Sequence, residues 1–179
     1  TLRDTEIDIG IDLYEQVAVS LITYIDKEKL VEYVTTARFP NGAHVKTLKP
    51  EADLSTIIAH SVIKEQMYTL SEYYTFIHYL KQMDTHNFVQ IVKQNNITFA
   101  TRTHATITAL LHKAAHKTIP NELQWILNHL GEEKFEANML IKSGFETPHK
   151  YHMVTLARSV LEIMKGKKCR NSVPMQILR

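Results

Sequence analysis

Residues 101–117 read TRTHATITALLHKAAHK. Ile107, Leu110, Leu111 and Ala114 recur at the three- and four-residue spacing that lines up one side of a helix, and neither Gly nor Pro interrupts them. The stretch predicts an amphipathic helix, with His112 and His116 falling nearly opposite the apolar side and therefore in water. Helical period continues on both sides of it.

Toward the C-terminus, Pro120 stands at a predicted first helical position, Leu123, Ile126, Leu127 and Leu130 form the stripe, and Gly131 is the stop. A helix over residues 132–143 follows, with Phe135, Met139 and Leu140 predicted inward. The last helix is predicted to take Thr147 as N-cap, Pro148 at its first position and Gly166 as terminator. Its apolar residues, Met153, Val154, Leu156, Ala157, Val160, Leu161, Ile163 and Met164, cover about half of a wheel drawn at roughly 100° per residue, which predicts a central helix touching two neighbours.

Toward the N-terminus, Asn95-Asn96 breaks the pattern, and Thr85 is read as the cap of a short helix with Phe88, Ile91 and Val92 inward. Ser71 is read as the cap of SEYYTFIHYLKQM, whose stripe is Tyr73, Phe76, Ile77, Leu80 and Met83. Pro50-Glu51 opens a further helix with acids in its first turn. Phe39-Pro40-Asn41-Gly42 is a turn signal, followed by a brief extended piece over residues 44–48. Asp26 is read as the cap of a helix ending near Ala37. Residues 6–14, EIDIGIDLY, alternate like a strand, but Ile7, Ile11, Tyr14, Ala18 and Ile25 also recur at helical spacing, and the length of the run decides for helix. The expected fold is all-α, a compact domain of about eight or nine short to medium helices whose second half forms helical hairpins. No repeat of fixed period is present.

With 179 residues, 44% of them hydrophobic, the chain is expected to form one domain over residues 1–166 with a basic tail over 167–179. Residues 17–25 form the longest apolar run, far short of the roughly 20 residues of a membrane span, so no membrane is expected. The acidic start TLRDTEIDIG does not resemble a secretory leader, and a lone cysteine, Cys169, suits a reducing compartment; an intracellular location, cytoplasmic or nuclear, is the expectation.

Charge is uneven. Residues 1–37 hold eight acids against three bases, and residues 142–179 hold eight bases against two acids. Such asymmetry serves self-association or a polyanionic partner, or the two ends lie together and neutralise. No carboxylate occurs from Thr85 to Asn121, where Lys93, Arg102, Lys113, Lys117, His86, His104, His112 and His116 all fall. Read as a face, strengthened below about pH 6.5 as imidazoles take up protons, Lys93, Arg102, His112, Lys113, His116 and Lys117 join Lys165, Lys167, Lys168 and Arg170 of the tail as candidate nucleic-acid contacts. The bland alternative is a solvated surface with a ragged end.

His112 and His116 have the i, i+4 spacing of a zinc pair, but Lys113 stands where a zinc protease carries its general-base glutamate. No metal, no other cofactor and no catalytic residue is assigned. Trp125, Tyr74 and Tyr79 fall off their helices' apolar stripes and are candidate partner-binding residues, Tyr74 and Tyr79 also candidates for base stacking. His149 and His152 read as packing and capping residues; Cys169, flanked by Lys168 and Arg170, is read as a thiol whose pKa these bases would lower, and, without a base partner, it is not assigned as a nucleophile. No phosphate loop, Rossmann fingerprint, nucleophile elbow or cysteine pair is present. The expected function is a non-enzymatic helical binding module acting through protein–protein interaction or self-association. A nucleic-acid-binding regulatory or packaging protein is the first alternative, and a motif-poor enzyme using surface histidines is the second.

Overall fold

The computed structural model describes residues 2–3, 10–11, 17–19 and 22–177. Among them run eight α-helices: α1 (Pro50–Ala59), α2 (Leu70–Leu80), α3 (Thr85–Gln94), α4 (Thr98–His116), α5 (Asn121–Leu130), α6 (Lys134–Lys142), α7 (Met153–Ile163) and α8 (Lys167–Ile177). The strands are short antiparallel pairs: β1 (Leu2–Arg3) with β2 (Gly10–Ile11), β3 (Val17–Val19) with β4 (Ile22–Ile25), β5 (Val34–Arg38) with β6 (His44–Leu48), and β7 (Met67–Tyr68) with β8 (His149–Lys150). The fold is compact and mostly helical, as its spacing predicts.

α4 is the axis, touching α1, α2, α3, α5, α6 and α7. Its first half is buried on every side: all residues from Phe99 to Ala109 except Arg102 are buried. Small side chains let neighbouring helices approach closely, and three of the threonines satisfy their hydroxyls by donating one turn back, whereas the buried Thr101 Oγ1 has no hydrogen-bond partner among the described residues. Thr103 Oγ1 donates to Phe99 O at 2.8 Å, Thr106 Oγ1 to Arg102 O at 2.7 Å and Thr108 Oγ1 to His104 O at 2.9 Å. A one-sided helix is thus corrected to one that is amphipathic only after Leu110. Even there Ala114 is exposed, and His112 is half-buried rather than solvated.

Pro50 and the aromatic stripe behave as predicted. Pro50 opens α1, and Tyr73, Phe76, Leu80 and Met83 are buried around α4. Tyr68, Phe76, Phe88, Ile91, Ile107, Leu123, Ile126 and Leu140 are among the fully buried side chains, each contributing about 1.5–3 kcal/mol by leaving water. Beyond Ala59 the last turn of α1 widens into a π turn over residues 60–65, ended by Gln66 in the left-handed region.

Several boundaries differ from expectation. The cap of α2 is Thr69, in a reciprocal capping box with Glu72, two residues before the predicted Ser71. Asp84, not Thr85, caps α3, and Pro120 is itself the cap of α5. Thr147-Pro148 is a cis peptide and does not start the last helix. The chain runs through β8 first, and α7 begins at Met153 with His152 as cap. α7 is not central: Thr155, Leu156, Ser159 and Ile163 face in while Met153, Val154 and Leu161 are exposed. In α6, Phe135 and Met139 are exposed and Glu136, Ala137 and Leu140 are buried.

The largest departure lies at the N-terminal end. The helix expected over residues 6–25 is overturned where the structure describes it, because Val17–Val19 and Ile22–Ile25 are strands; residues 4–9, 12–16 and 20–21 lie outside the described residues. β-branched Ile22, Thr23 and Ile25 explain the choice, since their stiff side chains fit a pleated surface better than a helix. Asp26 does cap a helix, accepting from Glu28 N, but it is a 3-10 segment, Lys27–Tyr33, that passes at Val34 into strand. Residues 44–48 are extended as predicted.

Residues 167–177, set apart in sequence as a basic tail, form α8 and pack on β4. Cys169 and Ser172 are buried, and Thr23 N donates to Ser172 Oγ at 3.1 Å. Among the described residues no helix is long and apolar enough to cross a membrane.

Candidate functional site

The bases between Thr85 and Asn121 do not form one face. Arg102 is half-buried, its guanidinium 4.6 Å above the Phe99 ring. His104 is wholly buried between Tyr68 and Phe76 and adds nothing to a surface charge. His112 shares a 2.9 Å hydrogen bond through Nδ1 with the Tyr73 hydroxyl and lies 4.5 Å, ring to ring, from exposed His116; burial and the neighbouring imidazole hold its pKa down. Lys113 and Lys117 are exposed, Lys117 Nζ donating to Ala114 O at 3.1 Å. Acids enter from elsewhere in the chain: Glu162 Oε2 accepts from Phe99 N at 2.6 Å at the start of α4. Among the described residues no three His, Cys, Asp or Glu side chains converge as a metal site.

At the C-terminal end Lys165, Lys167 and Arg170 are exposed. Lys168 is engaged, its Nζ 2.7 Å from Asp26 and 2.8 Å from Glu28, so part of the acidic and basic ends do lie together. The lowered thiol pKa expected from the flanking bases is corrected: Cys169 is buried, and burial pushes its thiol up.

Of the partner candidates, Tyr74 is 67% exposed and open to contact. Tyr79 is half-buried and donates its hydroxyl to Asp53, anchoring α2 to α1; burial and that carboxylate push its pKa up to about 12. Trp125 is half-buried over an open groove of about 430 Å³ between α3 and α5. Its indole stacks on His129, 3.7 Å between centroids and 28° between planes, and meets the exposed His86 ring at 4.4 Å. Lys93, Gln90 and Gln94 of α3 line the rest, with Val89 at the floor, and among the described residues no carboxylate lines the groove.

The structure adds a second surface where the sequence reading extends a helix over residues 34–37. β5 and β6 form a ribbon in which every residue from Val34 to Thr47 is exposed. Its register pairs Thr36 with Lys46 and Arg38 with His44 on one side, and Thr35 with Thr47 and Ala37 with Val45 on the other. The end is closed by Phe39 N donating to Ala43 O and Gly42 N to Phe39 O, both at 2.9 Å, with Gly42 at φ +86°. At the base Lys49 N donates to Tyr33 O at 2.8 Å. Between Glu32 and Glu51 the chain has no carboxylate and carries Arg38, His44, Lys46 and Lys49. At about 3.3 Å per residue the five-residue strands reach roughly 17 Å.

Two further arrangements lie on α6, β8 and α7. Glu136 is fully buried: His149 Nε2 lies 2.8 Å from Oε2, His152 N donates to Oε1 at 2.7 Å, and Thr155 Oγ1 donates to the same oxygen. Burial alone would raise this carboxyl's pKa, but the hydrogen bonds from His149, Thr155 and His152 hold it below the usual range. Nearby, Phe135 meets His152 edge-on beside Met153, which is 72% exposed, and Met139, Val154 and Leu161 add to the uncovered apolar surface of α6 and α7.

Compared with known family models, curated proteins and solved structures, the chain gives no match.

Proposed function

We propose that this chain is a non-enzymatic helical module that binds nucleic acid, with the β5–β6 ribbon contacting phosphate. The observation that carries the reading is the ribbon itself. A two-stranded hairpin exposed on both sides is marginal in water unless it has something to lie against. This one presents Arg38, His44 and Lys46 on one side and small or apolar residues on the other, with no acid to repel a polyanion. A two-stranded ribbon fits the major groove of duplex DNA, and cations on one side of it meet the backbone without any base-specific motif. Lys113, Lys117, Lys165, Lys167 and Arg170 add exposed positive charge elsewhere on the molecule.

The test is binding of labelled single- and double-stranded DNA and RNA, followed by anisotropy at two salt concentrations. Binding that weakens steeply with salt supports the reading. No binding to any of them at low ionic strength overturns it.

Protein–protein interaction or self-association is the second reading, favoured by the exposed Phe135, Met139, Met153, Val154 and Leu161 of α6 and α7. Light scattering across a concentration series separates the two: assembly without nucleic acid that Met153→Asp abolishes favours a protein partner or a second copy.

A further inference from the structure

We propose that the groove between α3 and α5 seats an unpaired nucleotide, its base against the His86–Trp125–His129 rings and its phosphate at Lys93; this rests on the nucleic-acid reading above. A groove of about 430 Å³ lies in the size range of small-ligand sites. Three aromatic rings are gathered there, neighbours within 4.4 Å of each other along the stack, beside Val89 and the polar side chains of Gln90, Lys93 and Gln94. Base stacking tolerates any sequence because every base presents a π face, and one cation beside the stack is what a strand's backbone requires. Gln90 and Gln94 place amides, each with donors and an acceptor, around the rings, suited to base edges. Asp84 is the acid that the structure pairs with the stack, 3.9 Å from His86 Nδ1, and its carboxylate is occupied as the cap of α3, accepting from His86 N and Asn87 N.

The groove is also tied to the ribbon. Gln94, at its end, accepts from Lys29 Nζ through its carbonyl at 2.6 Å, and the neighbouring Asn95 Oδ1 accepts from Asp26 N at 3.3 Å. From Lys29 the 3-10 segment leads straight into β5 at Val34, five residues or about 10 Å on at roughly 2 Å per residue. Lys29 thus joins the α3 end of the groove to the segment that carries the ribbon.

Trp125 is the chain's one tryptophan, so its emission reports on this groove alone. The experiment titrates the full chain with an eight-nucleotide oligothymidylate and oligouridylate at low salt, reading Trp emission and the anisotropy of the labelled oligonucleotide together. Quenching that follows the anisotropy curve is expected, with affinity lowered at least about fivefold in Trp125→Leu and retained in Trp125→Phe, and a weaker salt dependence in Lys93→Gln. Rising anisotropy with unchanged Trp emission and an unaffected Lys93→Gln variant overturns the groove assignment and leaves nucleic-acid binding standing. If neither these strands nor duplexes raise the anisotropy, nucleic-acid binding falls, and the groove assignment with it.

Discussion

His104 stacks on Phe76, with 5.6 Å between ring centroids and 22° between planes, and neither of its ring nitrogens has a hydrogen-bond partner among the described residues. An imidazole wholly enclosed by apolar and aromatic neighbours can be held only as the neutral base, and burial pushes its pKa down to about 3. The unfolded chain takes up this proton near pH 6.5, so between the two values the unfolded state binds more protons and stability falls as the pH falls, by about 1.4 kcal/mol per unit. His104→Leu removes both the penalty and the slope. The variant is expected to be as stable as the parent at pH 7 and about 2 kcal/mol more stable at pH 5, measured by urea unfolding. Equal pH slopes in the two proteins would contradict this account of His104.

The opposite sign holds at Glu136. Its folded pKa is depressed by three converging donors, so its contribution is complete above the ordinary carboxylate value and disappears as the pH falls through the lower, folded value. Glu136→Gln keeps the shape but turns an amide toward groups that donate to a carboxylate, at about 1.5–3 kcal/mol for losing hydrogen bonds to a charged acceptor. Because Glu136 joins α6 to His149 of β8 and to Thr155 of α7, the variant is expected to loosen these elements first. Acid unfolding followed by circular dichroism tests the point: the parent's loss of stability below about pH 4.5 should be smaller in the variant.

Lys168 fastens α8 to the 3-10 segment through Asp26 and Glu28. The Asp26 carboxyl, which burial alone would raise, is held low by this ammonium, and the Lys168 pKa is correspondingly raised by the two acids. The contact is solvent-exposed on the lysine side, so its role is local attachment rather than global stability. Lys168→Met is expected to speed hydrogen exchange of α8 amides at low salt while the thermal midpoint barely moves, and the difference from the parent should shrink in high salt.

How much of the fold is legible in the sequence follows from which signals are local. Pro50, the Phe39–Gly42 turn, Gly131 and the Tyr73–Phe76–Leu80 stripe act through backbone geometry and spacing within a few residues, and each stands where the sequence places it. Thr147-Pro148 mimics a helix start equally well, but β8 pairs with β7, a strand that precedes α2, before α7 begins. Burial is harder to read than periodicity. The first half of α4 is enclosed with the hydroxyls of Thr103, Thr106 and Thr108 bonded back to its own carbonyls, which lets these positions behave as apolar surface despite their composition, while Thr101 Oγ1 and the His104 ring nitrogens are buried without partners among the described residues. In α6 a buried carboxylate takes the place of the predicted Phe135 and Met139, since Glu136 finds its partners on β8 and α7, elements far enough along the chain to be invisible to a helical wheel. The Trp125 position is visible as an off-stripe aromatic, whereas its neighbour His86 belongs to another helix. The ribbon's charge is in plain sight in residues 33–50, hidden only where helix and loop are read in place of paired strands.

Arg38 and Lys46 decide between focused and diffuse attraction. Both lie on one side of the ribbon, in register with His44 and Thr36. On B-form DNA each phosphate that no longer meets a cation lowers the slope of log K against log salt by about 0.9, so Arg38→Gln with Lys46→Gln should flatten it by roughly 1.8. The control removes the same charge from the end of α4, Lys113→Gln with Lys117→Gln, where both side chains are exposed but no ribbon is present. Focused attraction predicts a large drop in slope in the first pair and a small one in the second, measured by anisotropy over a salt series. Equal drops would mean that net charge alone governs binding, and the ribbon would then be no more than one basic patch among others.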